Sequence, residues 1–191
     1  MQELETETRD GFSFRGGHVA LDLCATLIGR TKPTPRDLLE TPRDLGRWLR
    51  AAQLARTSVP ATDDDLADAR RLREAIYAAA IARIGGESAP ASARSVLNNM
   101  AAENAATPRL GEDGGMRFKG GARELLATVA QDAVRLLGGA HAARIRQCDG
   151  ATCSRLFIDN SRGGDRRWCS MSACGNRAKV AEFRRRQSAG S

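Results

Sequence analysis

The sequence has no run of about eighteen apolar residues, so nothing in it reads as a membrane-spanning helix. Aromatic residues make up only 4% of the chain, which leaves Ala, Leu, Val and Ile to build a core. The two histidines, His18 and His141, stand alone and read as structural or exposed residues. There is no glycine-rich loop of the kind that cradles phosphates and no convincing pair of carboxylates for acid–base work. The expectation is therefore a protein that is not an enzyme. The opening decapeptide MQELETETRD is acidic and polar, the wrong chemistry for a signal peptide, and a cytoplasmic location is expected. Internal repeats and long low-complexity segments are absent as well.

The chain of 191 residues, 41% of them hydrophobic, suits one soluble core and a small appended module. Its net charge of +7 is unevenly placed. Residues 1–140 hold 19 Lys and Arg against 19 Asp and Glu, whereas residues 141–191 hold 11 against 4. The whole excess lies at one end, where it favours a polyanionic partner; a solvated basic tail is the plainer alternative.

That same end holds four of the five cysteines. Cys148 and Cys153 are separated by four residues, as are Cys169 and Cys174, and fifteen residues lie between the pairs. Two short pairs joined by such a loop can form two knuckles whose sulfurs converge on one tetrahedral Zn²⁺. Four thiolates close the coordination shell, so the ion would be structural rather than catalytic. Two disulfides, or four unrelated buried thiols, are the alternatives; reduced thiols in a cytoplasmic protein disfavour the first.

The module resembles a known family at this point. The context RRWCSMSACGNRAKV, with Cys174-Gly175-Asn176-Arg177, is similar to the CGNR zinc finger, found at the C-terminus of bacterial proteins regarded as stress-induced transcription regulators. FRGGHVALDLCATL and PRDLGRWL resemble the ABATE domain, the usual N-terminal companion of that finger. In that family an Asn is expected just before the Thr; here Ala25 stands there, preceded by Cys24. The resemblance implies an ABATE-like domain over 1–140, with a sensing or dimerising role, and a basic finger over 141–191.

The fold class expected is mainly α with some β: a helical body carrying a small hairpin, then a treble-clef-like four-cysteine finger. Residues 1–10 read as a tail, and Phe12 and Phe14 as a short strand ended by Gly16-Gly17. Helices are expected over 18–28, 42–54 and 63–84, from Ser88 or Pro90 to about Ala105, and over 122–137. Thr41 and Thr62 supply N-caps, and Gly-Gly pairs end the third and fifth. GEDGG between Leu110 and Met116 signals a hairpin. Gly138-Gly139 reads as a linker. In the finger, strands are expected at 144–148 and 156–158, with a last helix beginning at Cys174.

On that last helix, Asn176, Val180 and Phe183 share a face and are expected to pack on the strands. Arg177, Arg184 and Arg185 lie toward the other side, flanked by Lys179 and Arg186. With Arg162, Arg166 and Arg167 of the preceding loop they are the candidate nucleic-acid contacts. Asn176, and equally Arg177, can instead donate hydrogen bonds to backbone or to zinc-bound sulfur. Trp168 reads as packing rather than base stacking. A small-molecule pocket in the body would be lined near Arg15, His18, Asp22 and Trp48. His18, Asp22 and Cys24 do not share one helical face, so they do not suggest a nucleophile cluster.

The leading reading is a zinc-stabilised, DNA-binding transcription regulator of the stress-induced kind. A zinc-held module for RNA or protein is the alternative, and an enzyme with a pocket in the body is the third. A homodimer is among the expected partners, on the general ground that regulators often dimerise; no residue pattern here proves it. The DNA site, the effector and the inducing stress are not legible in it.

Overall fold

In the computed structural model the described residues are 8–112 and 114–189. Among the described residues the protein is mainly helical, with four two-stranded antiparallel sheets set around the helices.

The described residues begin in a hairpin, where residues 8–10 were expected to be part of a tail. β1 (Thr8–Arg9) pairs with β2 (Phe12–Ser13) across a two-residue turn, Asp10-Gly11. Both turn residues have positive φ, 51° and 80°, the backbone that an Asp-Gly hairpin turn requires. Asp10 also accepts hydrogen bonds from Arg47 and Arg50, fixing the hairpin to the second helix. Residues 1–7 of the expected tail lie outside the described residues.

Helix α1 covers only Val19–Cys24, shorter than its apolar pattern suggests. The Thr26 hydroxyl donates to the Leu23 carbonyl at 2.7 Å and caps the end. The chain then turns extended, and β3 (Leu27–Ile28) pairs with β4 (Arg36–Asp37).

Helix α2 (Pro42–Ala51) starts as the sequence indicates, with Pro at its first position and a reciprocal capping box between Thr41 and Asp44. It stops before Leu54: Gln53 takes φ 62°, and the Leu54 amide reaches back to the Leu49 carbonyl at 3.1 Å. Helix α3 (Asp63–Ile84) opens on a second capping box, Thr62 with Asp65. Its buried stripe runs through Leu66, Ala69, Leu72, Ile76 and Ala80, while Ile84 at its end is exposed. Helix α4 (Ala91–Ala101) and helix α5 (Ala122–Gly138) pack against it. Between them β5 (Thr107–Leu110) and β6 (Met116–Lys119) form the expected hairpin, with Leu110 and Met116 exposed.

Alanines at 69, 79, 80, 130 and 133 let α3 and α5 approach closely, and Trp48, fully buried, fills the centre. Arg73 is the exception to this apolar interior. It sits on the inner side of α3, 4% exposed, and donates to both oxygens of Asp37 at 2.6 and 2.8 Å. Sequence periodicity alone did not single it out.

Gly138-Gly139 end α5 as expected, and a 3-10 turn over Ala140–Arg144 follows directly where a linker was expected. β7 (Ile145–Gln147) and β8 (Leu156–Ile158) then pair as a hairpin. Ile145, Leu156 and Ile158 are buried in the same core as the helices. The Ile158 amide donates to the Gly16 carbonyl at 2.9 Å, and the Arg30 amide to the Ser154 hydroxyl at 3.4 Å. A π turn (Met171–Gly175) leads into the last helix, α6 (Asn176–Ala189).

Candidate metal centre and the basic helix

The four cysteines come from three local devices. Cys148 directly follows β7, and Cys153 comes after it through a tight turn in which the Cys153 amide donates to the Gly150 carbonyl at 2.8 Å. A Cβ at Gly150 would crowd this turn, lying 3.1 Å from Cys153 Cβ and 3.4 Å from Cys174 Sγ. Cys169 and Cys174 flank the start of the π turn, where the Cys174 amide donates to the Ser170 carbonyl at 3.0 Å. Knuckle, hairpin, second knuckle and helix follow one another in a treble-clef-like order.

The four sulfurs all lie within 4.8 Å of one another. Cys153 and Cys169 Sγ are 3.9 Å apart, and Cys169 and Cys174 Sγ are 3.8 Å apart. A tetrahedron with metal–sulfur bonds of about 2.3 Å has edges of roughly 3.8 Å, so the donor set fits a four-thiolate Zn²⁺. All five cysteines are free thiols, which removes the disulfide alternative. Phe157 and Trp168 pack around the sulfurs and keep the centre in a small apolar cluster of its own.

Crowding of the thiols drives their pKa values apart, with Cys148 lowered and Cys153 and Cys169 raised. Hydrogen bonds from the neighbouring thiols hold Cys148 far below the ordinary thiol range, whereas the adjacent Cys148 and Cys153 push Cys169 well above it. The metal-free cluster thus resists ionising all four thiols together, and a cation is what relieves that repulsion. Hydrogen-bond donors converge on the sulfurs: Arg177 on Cys174 Sγ at 3.2 Å and the Cys169 amide on Cys148 Sγ at 3.4 Å.

Several candidate nucleic-acid contacts also make contacts within the finger. Arg166 donates to the carbonyls of Trp168 and Cys169 and lies over the Phe157 ring, 4.7 Å from its centre, so it braces the second knuckle. Arg167 is paired with Asp149 at 2.8 Å and lies 5.0 Å from the Trp168 ring centre. Arg177 is held to its thiolate, and Arg186 is paired with Glu182 along the helix. Asn176 donates to the Ser172 carbonyl at 3.3 Å, the backbone role open to it from sequence. Arg162, Lys179, Arg184 and Arg185 are exposed.

Helix α6 departs from expectation. Val180 and Phe183 are 49% and 60% exposed rather than packed on the strands. The apolar face of the β7–β8 hairpin, Ile145, Leu156 and Ile158, is already covered by the helical body. α6 therefore packs mainly on the turn before it and extends a basic, solvent-facing surface.

The suggested pocket residues do not meet. Trp48 is fully buried; Asp22 accepts from the Gly16 amide at 2.7 Å; His18 Nδ1 lies 3.0 Å from Asp132. Arg15 alone of the four lines a cleft, where the body faces the finger. Cys24 is sealed in the core, where burial pushes its thiol up to about 12. Asp159 was not anticipated: it is buried and gathers the Ser161 amide, the Ser161 hydroxyl and the Arg166 amide at 2.9, 2.6 and 3.0 Å. The Asp-Asn-Ser sequence at that turn was its available signal, since Asx side chains bond the backbone two residues on.

Among the described residues no helix is long and apolar enough to cross a membrane. Comparison with known families gives two matches. Residues 17–140 match the ABATE model, described as "Putative stress-induced transcription regulator". Residues 144–187 match the CGNR zinc finger. No curated protein matches the chain.

Proposed function

The chain belongs to the ABATE family and ends in a CGNR zinc finger, and from that premise we propose that it is a non-enzymatic, cytoplasmic transcription regulator whose finger holds one structural Zn²⁺ and contacts DNA. The observation that carries the reading is α6. It is rooted in the four-cysteine centre by Cys174 and Arg177, and it leaves the body with Lys179, Arg184 and Arg185 facing solvent. A basic helix held at its base by a rigid metal knuckle is a shape that fits a DNA groove or backbone. The closed thiolate shell leaves no coordination position for a reacting water. The metal's part is to fold the finger.

The test is duplex binding by the zinc-loaded protein, followed by fluorescence anisotropy across a salt series. If about five phosphates are neutralised, log K falls with log salt at a slope of roughly −4 to −5. Arg185→Gln, an exposed position, makes that slope shallower by about 1 and weakens binding to all sequences alike. A flat salt response rejects the proposal. RNA that outcompetes duplex would move the finger to RNA recognition.

A further inference from the structure

A cleft of about 160 Å³ lies where the finger meets the body. Arg15 and Lys32 line it from the body, Arg155 and Arg177 from the finger, and the metal-centre thiols Cys153 and Cys174 form part of its wall. Among the described residues no Asp or Glu lines it. The contrast with the rest of the chain is sharp. Arg47 pairs with Asp10, Arg73 with Asp37 and Arg123 with Glu103. By comparison, Arg15, Lys32, Arg155 and Arg177 make no ion pair with a carboxylate among the described residues. The Nε atoms of Arg15 and Arg155 are buried and have no hydrogen-bond partner. Arg155 and Arg177 each direct one terminal nitrogen at a sulfur, at 3.9 and 3.2 Å, which leaves further donors on each guanidinium.

Arg15 and Arg155 are half-buried, and cations so placed are costly unless an anion joins them; Lys32 and Arg177, which are exposed, add to the positive charge of the cleft. Guanidinium forks match tetrahedral oxyanions in geometry as well as charge. Four cations against the double negative charge of a four-thiolate zinc centre leave a surplus of about two positive charges, the complement of a dianion. The volume is well below the roughly 300–1,000 Å³ of pockets for drug-sized ligands. We propose that this cleft is a binding site for a small tetrahedral oxyanion of the phosphate class, bridging the body and the finger. Arg177 stands in the first turn of α6, so occupancy would reach the base of the basic helix; this consequence rests on the nucleic-acid reading, whereas the site itself does not.

The experiment is calorimetric titration of the zinc-loaded, full-length protein with inorganic phosphate at constant ionic strength, without nucleic acid. One saturable site per chain is expected. The double variant Arg15→Gln/Lys32→Gln, which touches no thiolate, should weaken it by about tenfold or more, and Arg185→Gln should leave it unchanged. Should the double variant lose thermal stability, the single Lys32→Gln, at an exposed position, carries the test, with a loss of about threefold or more. No saturable phosphate binding, or equal affinity in the Lys32 variant, overturns the proposal. A second arm adds duplex DNA. Phosphate binding that persists assigns the site to a free ion, and mutual displacement assigns it to a phosphate of the DNA backbone. Because the first arm contains no DNA, its failure is separate from failure of the regulator reading.

Discussion

Asp37 and Arg73 show how much a single pair can decide. Arg73 is a cation on the inner side of a helix, tolerated because both oxygens of Asp37, together with Glu74 and the Thr26 hydroxyl, receive its donors. Burial would raise the Asp37 carboxyl, but the Arg73 hydrogen bonds and the Leu39 amide hold it below its ordinary value of 3.8. Removing one partner of such a pair leaves a buried charge without compensation. Asp37→Asn should cost about 3 kcal/mol at pH 7, the lower end of the usual range because Glu74 remains. A folded-state value below the unfolded one gives stability that is present above about pH 4 and fades as pH falls through the folded value. The gap between wild type and Asp37→Asn should therefore narrow at pH 3, as read by urea denaturation; a gap that stays constant would assign the loss to packing alone. An α3 stripe of spacing three and four marked Leu72 and Ile76 as inward from the sequence. It could not mark Arg73, because its partner arrives from thirty-six residues away through the β3–β4 pair.

At the scale of elements, helix starts were the most legible features and helix ends the least. Thr41-Pro42 and Thr62-Asp63 set the starts of α2 and α3 by purely local chemistry, and the structure has both caps. The ends of α1 and α2 depended on Thr26 and on the positive φ at Gln53, which compete with an apolar pattern that would have run on. Gly46 shows an element fixed by its neighbour. A Cβ there would stand 2.2 Å from the Val59 carbonyl oxygen, a backbone atom that cannot swing aside. Gly46→Ala removes a helix-weakening residue yet should destabilise the protein by about 2 kcal/mol, because the clash outweighs a propensity gain of about 1 kcal/mol. Thermal denaturation checks the sign, and a rise in Tm would show that the 53–60 loop yields. α6 is the converse case: its amphipathic pattern was visible, but the partner presumed for its apolar face is covered by the body.

Across the whole molecule the finger and the body share a core. Ile145, Leu156 and Ile158 belong to the main cluster, while Phe157, between two of them, turns to the cysteines. Structural Zn²⁺ is worth about 10–16 kcal/mol in apparent terms to an isolated finger. Here part of that free energy should stabilise the body too. Removing the metal with a strong chelator should lower the Tm of the entire chain and abolish duplex binding, with α3, α4 and α5 still helical at low temperature. Two well-separated calorimetric transitions in the zinc-loaded protein would refute the coupling. The cysteine spacing, the partition of charge and the CGNR stretch determined by themselves that a basic four-thiolate module closes the chain, since ligand geometry at fixed short spacing is a local property. Which arginines remain available to a partner, and that four cations face one another across a cleft without carboxylates, only the tertiary structure decided. Those facts depend on which surfaces the helical body covers, and burial is a property of the assembled core, not of any one segment.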